Sequence, residues 1–171
     1  MAFPSKKNES EKGAQTYVTP FVALEKIKYY CKYQERCHSE VNEKLNSYGL
    51  TPLEVGNIIA QLIEDDLLNE ERFAVLYAGG HFRTKKWGKV KIAHALRLKK
   101  VSAYCIKKGL QEIEADDYDT TLQKLAATKW ASLKKERNLA RMAKCRSFLL
   151  QKGYENDLVM GVLKELETKE R

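Results

Sequence analysis

The stretch Leu45-Asn46-Ser47-Tyr48-Gly49-Leu50-Thr51-Pro52-Leu53-Glu54 decides how the chain folds. A helix running through Leu45 stops at Gly49, a residue type that takes a left-handed backbone without a steric penalty. Leu50 is an apolar linker, and Thr51-Pro52-Leu53-Glu54 then starts the next helix. Threonine and glutamate three places apart make a capping box, and proline suits the first helical position because its missing N–H has no helical partner there. Beyond the linker, apolar residues fall at five and twelve places, Val55 and Leu62, on one side of a helix.

The arrangement returns twice. Around Leu96, Lys100 and Val101 take the glycine and apolar positions, Ser102 the cap, and Ile106 and Ile113 the later apolar positions. Around Leu149 they are Gly153, Tyr154, a cap at Glu155 or Asn156, Val159 and Leu166. Linkers at 50, 101 and 154 give shifts of 51 and 53 residues. A period of about fifty residues holds three helices. They are predicted over 21–36, 39–48 and 52–64, then 70–84, 88–99 and 103–115, then 118–136, 138–152 and 156–168. The expected fold is all-α: three tandem three-helix repeats forming an elongated, curved array, each unit covering its neighbour's apolar face. The expected boundaries are a flexible tail over 1–19 and repeats over 20–69, 70–116 and 117–171. Pro4, Pro20 and Pro52 are the only prolines, so from Leu53 onward the breaks fall to glycine and caps.

Composition narrows the class. Of 171 residues 43% are hydrophobic, too many for a disordered chain. No run of about 18 apolar residues exists to span a membrane. The first residues, MAFPSKKNESEKGAQ, lack the apolar centre of a signal peptide, so a soluble cytoplasmic protein is expected. Cys31, Cys37, Cys105 and Cys145 contain no C-x-x-C pair. Cys31 and Cys37 fall on different sides of a helix, and His38 could share the face of Cys31. Without a second ligand pair, reduced and mostly buried thiols are expected rather than zinc. Nucleotide-loop, dinucleotide, zincin and nucleophile-elbow motifs are absent, and His38, His81 and His94 fall on separate helices. The reading is a protein without catalytic residues, cofactor or metal.

Charge is the informative quantity. Lys and Arg exceed Asp and Glu by 8, but the excess is arranged in blocks. From Gly79 to Gly109 there are ten Lys and Arg residues and no carboxylate; from Lys124 to Gly153 there are nine, with Glu136 the lone acid. Acidic stretches lie at Glu64 to Glu71 and at Glu112 to Asp119. A solvated helix face normally mixes signs, so a 31-residue block without an acid points to a phosphate-bearing or acidic partner. Phe82, Trp130 and Phe148 read as core at helical spacing, whereas Trp87 lies in the turn Lys86-Trp87-Gly88-Lys89. Gly79-Gly80 inside a helix predicts a kink or a close helix contact.

The central segment carries Leu68-Asn69-Glu70-Glu71-Arg72-Phe73-Ala74, Tyr77, Lys86-Trp87-Gly88-Lys89, Ile92, Leu96-Arg97, Lys99, Val101-Ser102, Ile106 and Leu110. It resembles the RecX family, bacterial regulators of RecA recombinase. The first unit joins the resemblance through Ala23-Leu24 and Ser39-Glu40 to Gly49, and the third more loosely, in register and apolar pattern. Gly79-Gly80 stands where many relatives are basic, and Gly88-Lys89 where many carry Gly-Pro. The resemblance implies a non-enzymatic, all-helical protein that lodges in the groove of RecA filaments on single-stranded DNA and limits their extension, ATP hydrolysis and strand exchange. The residues expected to meet RecA or DNA are Arg72, Arg83, Lys85, Lys86, Lys89, Lys91, Arg97 and Lys99. Arg72 has a structural alternative, pairing with Asp65, Asp66 or Glu70. A monomer is expected. The other functional class is a helical module that binds single-stranded or duplex DNA directly.

Overall fold

The structure, a computed structural model, describes residues 17–170. Its backbone turns left-handed at Gly49 (φ 77°), Lys100 (φ 60°) and Gly153 (φ 93°), the three equivalent positions of the repeat. Lysine thus adopts at 100 the conformation for which glycine is suited at 49 and 153, because the turn geometry is set by the unit and not by the residue. The next residues, Leu50, Val101 and Tyr154, are buried, as are Val55, Ile106 and Val159 five places on.

Among the described residues there are nine α-helices and no strand. They are α1 (Pro20–Tyr33), α2 (His38–Asn46), α3 (Pro52–Glu64), α4 (Glu70–Lys85), α5 (Lys89–Leu98), α6 (Ala103–Gln111), α7 (Ala115–Ser132), α8 (Asn138–Lys152) and α9 (Asn156–Lys169). Side-chain caps explain the starts of α3, α4 and α6. The Thr51 hydroxyl accepts the Glu54 N–H, and the Glu54 carboxylate accepts the Thr51 N–H at 2.8 Å. Asn69 accepts from Arg72 N–H, and Ser102 from Cys105 N–H. The third unit lacks such a cap: Glu155 sits at the N-cap of α9 without a side-chain bond to it.

Three helices differ from the sequence reading by three residues or more: α1, α7, and α6, which ends at Gln111 rather than at 115. The first helix stops at Tyr33, three residues early, and Cys37 caps α2 by donating its N–H to Glu40 Oε2. Cys31 and His38 therefore lie on different helices, which removes the shared face considered for them. All four cysteines are free and buried, and burial pushes the Cys31 thiol up to about 11. Among the described residues no group of His, Cys, Asp and Glu could hold a metal ion. The seventh helix runs from 115 to 132 rather than 118 to 136, starting beside Asp116 and Asp117, whose charges favour a helix N-terminus. Of the expected tail, 1–16 lies outside the described residues. Val18 packs on the first core and donates its N–H to Tyr48 O, and Thr19 is the N-cap of α1.

The core comes in two parts. Ala23, Ile27, Cys31, Val41, Leu45, Leu50, Val55, Ile58, Leu62 and Leu68 form one cluster within α1–α3 and the joint that follows. A fully buried leucine of this kind contributes about 1.5–3 kcal/mol. The second cluster runs without interruption through α4–α9 and takes in Cys37 from the first unit. Within it, α6 lies against the backbone of α4: a Cβ on Gly109 would approach Ala74 O to 2.6 Å. No neighbouring backbone presses on Gly79 or Gly80 in this way. The Gly79-Gly80 pair sits in an unbroken α4, and a Cβ on Gly80 would meet nothing within 4 Å.

The second and third units are joined main chain to main chain. Gly88 N–H donates to Lys152 O at 2.9 Å, and Val90 N–H to Gly153 O at 3.1 Å. A side chain at Gly88 would overlap the Gly153 carbonyl. The first and second units meet through side chains instead, as described next. No described helix is long and apolar enough to cross a membrane.

Candidate functional site

The eight basic residues singled out from the sequence separate into two groups. Arg72, on the first turn of α4, reaches back to the first unit: its Nε donates to Glu35 Oε1 at 2.6 Å and its Nη1 to Asp66 Oδ2 at 2.9 Å. Its Nη2 donates to Asp66 O. Of the structural partners weighed for it, Asp66 is used, while Asp65 binds Lys28 and Glu70 accepts from Ser102. Lys99 is also engaged, donating to Glu40 Oε1 at 2.6 Å, while its carbonyl accepts the Ser39 hydroxyl. Arg72 and Lys99 therefore clasp the first two units together.

The other six, Arg83, Lys85, Lys86, Lys89, Lys91 and Arg97, have no carboxylate in ion-pair range among the described residues. Four of them crowd the turn between α4 and α5. Lys86 ends α4 in a left-handed conformation (φ 53°), Trp87 follows half-buried, and Gly88 caps α5. Lys85 Nζ and Lys91 Nζ each lie 4.9 Å from the centre of the Trp87 ring. The ring faces hold cations close together with little desolvation. The other side of this arrangement is a column of rings along α4: Phe73 against Tyr77, Tyr77 stacked on His81 at 3.9 Å, and His81 against Trp87. Burial pushes the His81 pKa down, and Lys85 and Lys99 push it further, outweighing the hydrogen bond to Tyr77 O. The imidazole is neutral at pH 7.

The third unit holds this turn in place. Tyr118 OH accepts the Lys89 N–H and donates to Glu155 Oε2, and burial, then Glu155, raise its pKa so that it stays protonated. Lys89 Nζ lies 4.9 Å from the centre of the Tyr118 ring. Tyr154 OH donates to Lys86 O, Lys152 Nζ to Lys85 O and Lys91 Nζ to Gln151 O.

Two grooves flank the turn, and no carboxylate lines either. One, of about 340 Å³, lies along α7 and holds Lys86, Lys124 and Lys129 with Thr121, Thr128 and Phe148. The other, of about 420 Å³, lies between α5 and α6 and holds Lys89, Arg97 and Lys107. Lys124, Lys129 and Lys107 are the cations that the sequence reading left out. Their signal was present: Thr121, Lys124, Leu125, Thr128, Lys129 and Ser132 follow helical spacing on one face of α7. The arrangement suits an extended anionic surface, protein or phosphate, lying across two units. The aromatic expectations divide similarly: Phe82 and Trp130 are buried, while Phe148 and Trp87 are half-buried against the core.

Comparison with known proteins follows the same division. Residues 69–110 match the family model described as RecX, second three-helix domain, and residues 116–163 that described as RecX, third three-helix domain. The chain is 31% identical over 137 residues to "Regulatory protein RecX" of Clostridium perfringens (strain SM101 / Type A), covering 79% of this chain and 64% of that protein. It is 28% identical over 138 residues to "Regulatory protein RecX" of Bacillus cytotoxicus, covering 81% and 51%. The chain thus spans between half and two thirds of the length of these relatives. In fold it is similar to the crystal structure of RecX from Lactobacillus salivarius, with a TM-score of 0.80 at 23% identity over 87% of this chain and 97% of that one. A second crystal structure, of regulatory protein RecX, gives a TM-score of 0.76 at 21% identity, over 84% and 70%.

Proposed function

The chain belongs to the RecX family, and from that premise we propose that it is a non-enzymatic cytoplasmic regulator of RecA recombinase. In this reading it binds RecA and RecA filaments on single-stranded DNA, and inhibits or modulates filament extension, ATP hydrolysis and strand exchange. The observation that carries it is the turn between α4 and α5, where Lys85, Lys86, Lys89 and Lys91 are held without acidic partners between two grooves that also lack acids. A filament repeats its surface, so a module with basic grooves on two units can touch more than one protomer and gain effective concentration from each contact. Arg83, Lys85, Lys86, Lys89, Lys91, Arg97, Lys107, Lys124 and Lys129 face the partner in this proposal, while Arg72 and Lys99 fix the angle between the first two units.

The test is DNA-dependent ATP hydrolysis by RecA titrated with wild type and with Lys85→Ala/Lys86→Ala/Lys89→Ala. Wild type inhibits below equimolar ratio and the triple variant requires at least tenfold more protein. No effect of wild type at equimolar protein overturns the function; equal inhibition by the variant overturns the site.

A further inference from the structure

The first unit carries a second kind of groove, of about 540 Å³, lined by Tyr29, Tyr30, Tyr33 and Tyr48 with Lys26, Lys44 and a single acid, Glu25. We propose that this groove binds unpaired nucleobases, making the first unit a single-strand nucleic-acid site separate from the basic turn. Tyr29 and Tyr33 are 74% and 77% exposed, one helical turn apart on α1. Among the described residues neither ring has a ring or a cation against it, so their faces are open. The neighbouring rings are already used by cations. Arg36 lies 4.0 Å from the centre of the Tyr30 ring, and Lys26 and Lys44 lie 5.7 and 5.5 Å from that of Tyr48.

This division of labour fits one ligand chemistry. Two open rings separated by about 6 Å along the helix axis can each stack a base. Lys26 and Lys44, which have no acidic partner in ion-pair range among the described residues, can meet the phosphates between them. Duplex DNA fits poorly, because its bases have no free faces. A proline-rich peptide could use the rings, but it would leave the cations without a role. No internal requirement explains Tyr29 and Tyr33, since neither belongs to the first core or packs on it.

The experiment is fluorescence anisotropy of a labelled oligo(dT) of about 15 nucleotides, long enough to cross a site of this size, with the full chain and without RecA. Tyr29→Ala/Tyr33→Ala is expected to weaken binding at least tenfold, and Tyr29→Phe/Tyr33→Phe to leave it within twofold, since the ring and not the hydroxyl carries the contact. Both positions are exposed, and circular dichroism checks that the variants fold. The Lys85/Lys86/Lys89→Ala variant is expected to lose the same factor when the two tyrosines are also replaced. Unchanged affinity of the alanine pair overturns the proposal. So does equally tight binding of a duplex with the same tyrosine dependence, or tyrosine-dependent binding of a polyproline peptide in place of the oligonucleotide. RecA is absent from every arm, so these outcomes are independent of the RecA reading.

Discussion

Glu40 illustrates what single residues do in this chain. Burial raises its carboxyl pKa, but the hydrogen bond and charge of Lys99, with the Cys37 N–H, outweigh that and hold it below its ordinary value of 4.5. A carboxylate depressed in the folded state contributes stability that is present above the ordinary value and lost as pH falls through the folded one. Glu40→Gln is therefore expected to cost about 1 kcal/mol at pH 7, measured by urea unfolding, and the difference is expected to vanish as pH falls well below 4.5. A difference that persists in acid would show that the charge is not what matters. Such pairs were the least legible feature of the sequence. Glu40 and Lys99 are 59 residues apart, and Arg72 and Glu35 are 37 apart. Charge blocks mark where cations are dense, but only the packing of one helix on another decides which of them are consumed. Lys85 lines a groove that also holds Glu35, but that carboxylate is taken by Arg72.

At the scale of elements, the local backbone rules were readable and the contacts between elements were not. Glycine and cap positions located the ends of α2, α5 and α8 because left-handed turns and first-turn acceptors are decided within a few residues. The end of α1 was missed because Gln34, Glu35 and Arg36 carry no breaking residue; the chain leaves the helix there to place Cys37 in the second core and Glu35 beside Arg72. The glycines were legible as glycines and not as contacts, since nothing in the sequence tells Gly109, pressed on Ala74, from Gly80, which faces open space. Two substitutions test this account by chemical denaturation. Lys100→Gly removes an unfavourable left-handed lysine and is expected to stabilise by up to about 1 kcal/mol, net of the added freedom of the unfolded chain. Gly109→Ala forces α6 off α4 and is expected to destabilise by about 2 kcal/mol or more. Equal effects of the two would contradict the assignment.

The whole molecule has an uneven seam structure. The first unit closes its own core and meets the second through Cys37, which packs in the second core, and through Arg72–Glu35, Lys99–Glu40 and Ser39 to the Lys99 carbonyl. The second and third share one core. Hydrogen exchange is therefore expected to show α1–α3 opening at lower free energy than α4–α9, with the gap widening in about 0.5 M salt as the ion pairs are screened. Uniform protection across the described helices would rule this out. The sequence period conveyed three equal units; their inequality arises from which residues fill the joints. The joint between Gly88 and Gly153 has one more consequence. It is made of amide donors and carbonyl acceptors, which every amino acid except proline supplies alike. Mutational drift at the exposed positions of the two segments that meet there passes unnoticed so long as the two glycines stay small, and a saturation library over 86–91 and 151–155 should return Gly88 and Gly153, together with the buried Tyr154, as the intolerant positions. Heredity can rewrite the chemistry presented by this turn without disturbing the hinge on which it is mounted.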